Sequence, residues 1–125
     1  MSGLPKRSPV HGPDDDERTK RLVHELLHAA FMGRTDDVIA ALAEGAPVDA
    51  RHEQTGLTVL HIAAGTNNAA LVRLLHEEHD APWGPDSFGR WPTTVAAECG
   101  AEEALIHYIA DAEAGYLETR GSFVP

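Results

Sequence analysis

Gly56-Leu-Thr-Val-Leu-His-Ile-Ala-Ala64 is the stretch that decides the fold, because Gly89-Arg-Trp-Pro-Thr-Thr-Val-Ala-Ala97 aligns with it when the chain is shifted by 33 residues. Self-similarity at a fixed period of about 20 to 50 residues is typical of chains that stack one small structural unit. Each unit leaves an apolar face that only a neighbouring unit covers. The repeat therefore predicts a row of stacked units instead of a single closed core.

Apolar residues at helical spacing surround this repeat and outline paired helices. In the first pair, a helix that ends at about Phe31 precedes a second, shorter helix. A helix end often needs a residue that accepts left-handed backbone, and the residues at three equivalent ends are Gly33, Asn67 and Gly100. Asparagine is among the non-glycine residues that best tolerate positive φ, so Asn67 fits this position.

The third copy of the repeat departs from the second at the start of its first helix. Pro92 suits the first turn of a helix, because the N–H that proline lacks would have no helical partner there. Thr93 and Thr94 stand where the second copy has leucine and histidine. We expect the Thr93 hydroxyl to donate a hydrogen bond to the carbonyl of Gly89, four residues earlier.

The period and the signature Thr58-Val-Leu-His-Ile-Ala-Ala64 resemble the ankyrin repeat. The resemblance covers about residues 22–114 and implies an all-α ankyrin-repeat solenoid of three helix-turn-helix units joined by β-hairpin-like loops. The family's structural histidine corresponds to His61, which implies that its side chain bonds to backbone in the adjacent loop. A glycine position of the family falls on His79, which implies a strained turn or a different helix end there.

The resemblance also sets the expected domain boundaries. Residues 1–14 are predicted to be a disordered tail, and residues 15–114 the ankyrin repeat domain. Its units are expected at about 15–50, 51–84 and 85–114. Residues 115–125 form a C-terminal extension, whose candidates for capping the open end of the stack are Tyr116, Leu117 and Phe123.

The composition is that of one globular domain, with 42% hydrophobic residues in a chain of 125. No run approaches the roughly 18 apolar residues of a membrane span, and no apolar signal region follows Lys6 and Arg7, so we expect no membrane partner. The single cysteine, Cys99, excludes an internal disulfide and favours a cytoplasmic location. The net charge of -10 argues against nucleic acid as a partner, because phosphates would repel the chain.

Members of the ankyrin family bind partners with the tips of their hairpin loops and the adjoining inner face of each unit's first helix. Carried over by register, these partner-binding positions are Phe31, Met32, Glu53, Gln54, Leu57, Thr66, Ser87, Phe88, Arg90, Glu98 and Cys99. Four of them are apolar where solvent exposure is expected, which is typical of the core of an interface. For Phe31 and Met32 the alternative is that they pack under the N-terminal helix.

The loop from Ala81 to Pro92 contains three of the seven aromatic residues of the chain. Its prolines stiffen it, so less free energy is lost when a partner orders the loop. We interpret Trp83 and Trp91 as two further partner-binding residues. The alternatives are that Trp91 fills the space left by Thr93 and that Trp83 lies over the second unit.

These observations predict a protein–protein interaction module, a small adaptor or inhibitor that docks a partner protein on its concave face. One alternative is a self-associating homodimer. Another is a metal-linked regulator that uses its histidines, since His24 and His28 are four residues apart and His76 and His79 are three apart. Neither pair completes a recognised metal motif, so no metal or other cofactor is expected. No recognised nucleophile motif or phosphate-binding loop occurs, so the chain is not expected to be an enzyme.

Overall fold

The computed structural model describes residues 13–120, with side chains described for residues 16–118. Over residues 13–120 the chain forms helices and no strand, which confirms the all-α class. The helices are α1 (Pro13–Phe31), α2 (Thr35–Ala43), α3 (Val59–Gly65), α4 (Ala69–Glu77), α5 (Pro92–Glu98) and α6 (Glu103–Arg120). They pair as α1 with α2, α3 with α4, and α5 with α6, so each predicted unit contains one pair.

The two ends of the domain differ from the expected boundaries. Helix α1 begins at Pro13, so the last two residues of the predicted tail are helical, while residues 1–12 lie outside the described residues. Helix α6 continues to Arg120, so residues 115–120 lengthen the last helix and do not form a separate segment. Tyr116 packs against the core from this helix, whereas Phe123 lies outside the described residues.

The first helix of each pair forms an inner row, in which α1 contacts α3 and α3 contacts α5. One continuous core runs through the row and holds the three pairs together. Fully buried side chains from every pair contribute to it, among them Leu26, Val38, Leu60, Leu71, Leu75 and Ile109. Burying one such side chain stabilises the fold by about 1.5–3 kcal/mol, so this shared core is the main source of stability.

The turns after the helices confirm one prediction and decide between two alternatives that the sequence left open. Asn67 adopts positive φ (59°) in the turn after α3, as predicted from its equivalence to Gly33 (φ 75°). The family's next glycine position falls on His79, which implied a strained turn or a different helix end, and it is Asp80 that has the positive φ (51°). The connection after α4 is longer than expected, and the Ala81 N–H reaches back to the Leu75 carbonyl at 3.0 Å. The helix therefore ends differently, and His79 is not strained.

The connections between units are hairpin-like loops, as predicted. Arg51 and Thr58 form an isolated antiparallel bridge, and the His52 N–H donates to the Leu57 carbonyl at 2.8 Å. The next loop closes with a 2.8 Å bond from the Asp86 N–H to the Arg90 carbonyl. These two loops define the hairpin tips, residues 51–58 and 86–90.

The two hairpin tips touch each other directly. The Ser87 N–H donates to the Thr55 carbonyl at 2.9 Å, which ties the loop of the third unit to that of the second. Gly56 lies at this contact with φ at 73°, and a Cβ atom built on it would come within 2.6 Å of the Ser87 nitrogen. Glycine is required there because both the backbone conformation and the close approach exclude a side chain.

The N-termini of α3 and α5 are capped in different ways. Thr58 caps α3 within its own motif, since its hydroxyl oxygen accepts from the His61 N–H at 3.3 Å. In α5 the N-cap residue is Trp91, which provides no side-chain bond. Glu113 of α6 instead accepts the Thr93 N–H at 2.9 Å and also the Thr93 hydroxyl. The expected Thr93 bond to the Gly89 carbonyl is therefore wrong, because the Glu113 carboxylate is a stronger acceptor within reach.

Candidate functional site

The predicted partner-binding residues lie in three classes of exposure. Nine of the thirteen are exposed: Phe31, Met32, Glu53, Gln54, Thr66, Ser87, Phe88, Glu98 and Cys99. Leu57, Arg90 and Trp91 are half-buried, and Trp83 is buried. The exposed and half-buried members lie on the hairpin tips and on or beside the inner helices α1, α3 and α5. We call this surface, without Trp83, the loop face.

Three large apolar side chains protrude from the loop face. Phe31 is 66% exposed, Met32 50% and Phe88 67%. The alternative in which Phe31 and Met32 pack under the N-terminal helix is therefore wrong, because Phe31 ends that helix and both side chains face solvent. Exposed aromatic and methionine side chains beside polar ones are typical of a protein-binding surface.

Trp83 does not belong to this surface, which corrects its interpretation as a partner-binding residue. Its side chain is only 4% exposed, and its Nε1–H donates to His76 Nδ1 on α4 at 3.2 Å. The two rings meet edge to face with centroids 5.4 Å apart. The alternative that Trp83 lies over the second unit is the arrangement in the structure.

Trp91 is half-buried at the start of α5 and packs against the core. This packing favours a structural role, which is the alternative to partner binding. A large ring with much of its area in the core adds stability in its present position. Trp91 therefore lies at the edge of the loop face and does not project from it.

Arg90 orders the hairpin tip that carries Phe88. Its Nε donates to Asp86 Oδ2 at 2.9 Å, and Asp86 Oδ1 accepts the backbone N–H groups of Phe88 and Arg90 at 2.8 and 2.9 Å. Burial by itself raises the pKa of Asp86, but these hydrogen bonds and the Arg90 charge outweigh burial and lower it. The guanidinium also lies 5.5 Å from the centre of the Phe88 ring. A charged Asp86 therefore holds Phe88 in its exposed position.

His61 connects this tip to α3, as the resemblance implied. Its Nε2 lies 2.8 Å from the Arg90 carbonyl, and its Nδ1 lies 2.9 Å from the Thr58 hydroxyl. Because a carbonyl only accepts, Nε2 carries the proton and Nδ1 is the acceptor. Burial lowers the pKa of His61 despite the favourable Arg90 carbonyl. The neutral imidazole thus links two neighbouring units at the base of the loop face.

A groove that the sequence did not predict adjoins Phe31. It lies between α1, the first hairpin tip and α3, and its volume is about 480 Å³. Apolar side chains make its floor and one wall: Val23, Leu27, Phe31, Leu57 and Ile62. Mostly basic and imidazole side chains make its rim: Lys20, His24, His28, Arg51, His52 and Glu53. We call this feature the α1 groove.

A sequence signal for the α1 groove does exist. Val23, Leu27 and Phe31 recur every four residues and form a second apolar stripe, beside the core stripe of Leu22 and Leu26. Residues four apart lie on one helix face. Leu27 of this second stripe is buried in the core, whereas Val23 is half-buried and Phe31 is exposed, so the stripe extends beyond the core and indicates a further contact surface.

The histidine pairs do not form a metal centre in the described part of the chain. Over the described residues, no group of three or more histidine, cysteine, aspartate or glutamate side chains is arranged to hold a metal ion. The His24 and His28 rings stack in parallel with centroids 5.9 Å apart. Within residues 13–120, no helix has both the length and the apolar character needed to cross a membrane.

The model of the family described as "Ankyrin repeats (3 copies)" matches residues 26–116, more than half of the chain. This chain belongs to the ankyrin repeat family. Ankyrin repeats generally act as protein–protein interaction modules and are typically non-catalytic.

Similar proteins include members of very different size and kind. The chain is 31% identical over 91 residues to the ARF GTPase-activating protein GIT1 of Homo sapiens, a match that covers 72% of this chain and 12% of that protein. It is 26% identical over 92 residues to a putative ankyrin repeat protein of Rickettsia bellii, covering 73% of this chain and 51% of that protein. The similarity therefore concerns the repeat domain and only part of each relative.

Proposed function

We propose that this chain is a small adaptor or inhibitor that docks a partner protein on its loop face and acts in the cytoplasm. The observation that carries the proposal is the exposure of Phe31, Met32 and Phe88 on adjoining inner-helix and hairpin elements. Apolar side chains of this size at an interface centre supply much of the binding free energy. Polar residues of the loop face, such as Gln54, Ser87 and Glu98, are also exposed and suit the rim of an interface.

Order in the loops also supports this function. The 2.9 Å bond between the hairpin tips and the Arg90–Asp86 ion pair fix the backbone that carries Phe88 before any partner arrives. A preformed surface loses less conformational entropy on binding, so a moderate contact area gives useful affinity. Docking that covers a partner's own binding site would make the chain an inhibitor, whereas docking of two partners would make it an adaptor.

Affinity capture from lysate of the native host tests the proposal. The bait proteins are the native chain and the double variant Phe31→Ser/Phe88→Ser, and bound proteins are identified by mass spectrometry. Both replaced side chains are exposed, so the variant should keep the helical content and melting temperature of the native chain. We expect at least one protein to be retained by the native chain and lost from the variant.

A matched control removes apolar area elsewhere on the surface. Ile39 on α2 is 39% exposed and lies outside the loop face, so Ile39→Ser should retain the same partner. If Ile39→Ser and the double variant lose the partner equally, the loop face is not the docking surface. If solution mass measurements instead give a stable dimer that the double variant dissociates, the loop face serves self-association.

A further inference from the structure

The α1 groove differs in charge from the chain as a whole. The chain has a net charge of -10. The groove rim nevertheless has two permanent cations, Lys20 and Arg51, three histidines and a single carboxylate, that of Glu53. Among the described residues, no ion pair joins Lys20 or Arg51 to a carboxylate. The positive charge at this rim is therefore available to a ligand.

Arg51 is held in place without losing its charge. Its Nη1 donates to the Gly56 and Pro85 carbonyls, both at 2.9 Å. Carbonyl oxygens orient the guanidinium but do not neutralise it, and its Nε–H and Nη2–H donors make no hydrogen bond to the described residues. A guanidinium that is fixed in advance and keeps spare donors suits a carboxylate, which it can bind with two parallel hydrogen bonds.

The floor of the groove supplies a second requirement for the ligand. Val23, Leu57 and Ile62 are half-buried there, and Phe31 stands beside them with 66% of its surface exposed. The volume of about 480 Å³ lies within the range of about 300–1,000 Å³ in which pockets enclose ligands. A ligand that gains from this site needs large apolar groups for the floor and negative charge for the rim.

We infer that the α1 groove binds an acidic segment of a partner protein, with apolar side chains on the floor and carboxylates against Lys20 and Arg51. The inference rests on the proposed function and adds the chemistry of the partner. Attraction between unlike charges also steers such a segment to this position, whereas the acidic remainder of the surface repels it.

A random peptide library displayed on phage tests this chemistry without knowledge of the partner. The library is selected on the full chain and on Lys20→Glu/His24→Glu, which replaces two exposed rim residues of α1. The control Arg34→Glu/His107→Glu makes the same change in net charge at exposed positions outside the groove. We expect the peptides that depend on the groove to be enriched in Asp and Glu next to Leu, Ile or Phe.

The affinity of one selected peptide gives the quantitative result. Reversal of the rim charge should weaken its binding about tenfold or more, against less than about twofold for the control, and added salt should weaken it further. Groove-dependent peptides without acidic enrichment, or peptides that bind all three proteins equally, would overturn the inference. A host protein that is lost from Phe31→Ser/Phe88→Ser but kept by Lys20→Glu/His24→Glu would overturn it while leaving the proposed function intact.

Discussion

The second and third units of this chain share one period but secure their inner helices by different means. In the second unit, Thr58 and His61 lie three residues apart and cap α3 within a single motif. In the third unit, the equivalent positions are Trp91 and Thr94, and the cap of α5 comes from Glu113, twenty residues beyond Thr93. The same helix start can therefore be satisfied locally or by a side chain of the following helix.

The difference shows which unit depends on its neighbour. His61 of the second unit reaches forward to the Arg90 carbonyl of the third, so it stabilises both the helix start and the next hairpin tip. Thr94 is exposed, and the described chain has no further hairpin tip after it that would correspond to the one His61 contacts. Glu113 accepts its hydrogen bonds in the described chain from Thr93, which belongs to its own unit. The end unit thus replaces a contact between units by one within itself.

Replacing His61 by alanine should cause the largest loss of stability among the variants that test this comparison. It leaves the Arg90 carbonyl and the Thr58 hydroxyl without their partner and opens a cavity, so we expect a loss of about 2–4 kcal/mol in the free energy of unfolding. Thr94→Ala, at the equivalent exposed position, should cost less than about 0.5 kcal/mol. Urea unfolding of both variants measures the difference, and equal losses would show that the two positions do not differ in role.

Disrupting the contact between the hairpin tips should cause the next largest loss of stability. Gly56→Ala forces a Cβ atom against the Ser87 backbone at positive φ, so we expect a loss of about 2–3 kcal/mol. Gly33 also has positive φ but has open space around it, so Gly33→Ala should cost only about 1 kcal/mol. Thermal unfolding compares the two, and a Gly56→Ala variant as stable as Gly33→Ala would mean that the tips do not touch.

The two caps should contribute similar amounts to the free energy of unfolding, and the loss of either should be measurable. Thr58→Ala and Glu113→Ala each remove acceptors for helix N–H groups, and each should cost about 1–2 kcal/mol. Glu113→Gln keeps an acceptor for the Thr93 N–H and should cost less than about 0.5 kcal/mol. If Glu113→Ala is as stable as the native chain in urea, the long-range cap contributes nothing.

A lower pH should change the contributions of His61 and Glu113 to stability in opposite directions. We expect these to be the smallest effects in the series. Burial lowers the pKa of His61 below 6.5, so the unfolded chain binds more protons and His61's contribution to stability falls as the pH drops through 6.5. Burial raises the pKa of Glu113 above 4.5, more than its Thr93 hydrogen bonds lower it, so its contribution grows as the pH falls towards 4.5.

Urea unfolding between about pH 7 and about pH 5 separates these contributions. The stability of Glu113→Gln relative to the native chain should decline as the pH falls, because glutamine lacks the titration. For His61→Ala, the deficit relative to the native chain should shrink over the same interval. If the stability difference from the native chain stays constant with pH in both variants, the pKa of His61 is not lowered and that of Glu113 is not raised.

The sequence was sufficient for the fold because the repeat encodes local geometry. The helix pairs, the turn at Asn67 and the bond of His61 to the next loop all follow from motifs in which the interacting groups keep a fixed register. Family register marked His79 as the glycine position after α4 but left the form of that turn open, because no motif marks the additional length that puts the left-handed residue at Asp80. Local patterns predict local structure well and variable connections poorly.

The candidate site was predictable only in outline. Register correctly assigned Phe31 and Phe88 to an exposed face, whereas the aromatic composition of the loop suggested Trp83, which is buried and donates to His76 in another element. The Glu113 cap and the α1 groove were missed for the same reason, since each joins residues that are distant in the chain. The second apolar stripe of α1 is the sequence feature from which the groove could have been predicted.

Hydrogen–deuterium exchange of the chain, alone and with a captured partner protein, tests the central claim most directly. The claim is that the loop face and the adjoining α1 groove form the docking surface. We expect slower exchange in the partner complex at the C-terminal half of α1 and at the hairpin tips, residues 51–58 and 86–90, with no change in α2 and α4. Protection confined to α2, α4 or the outer side of α6 would contradict the account.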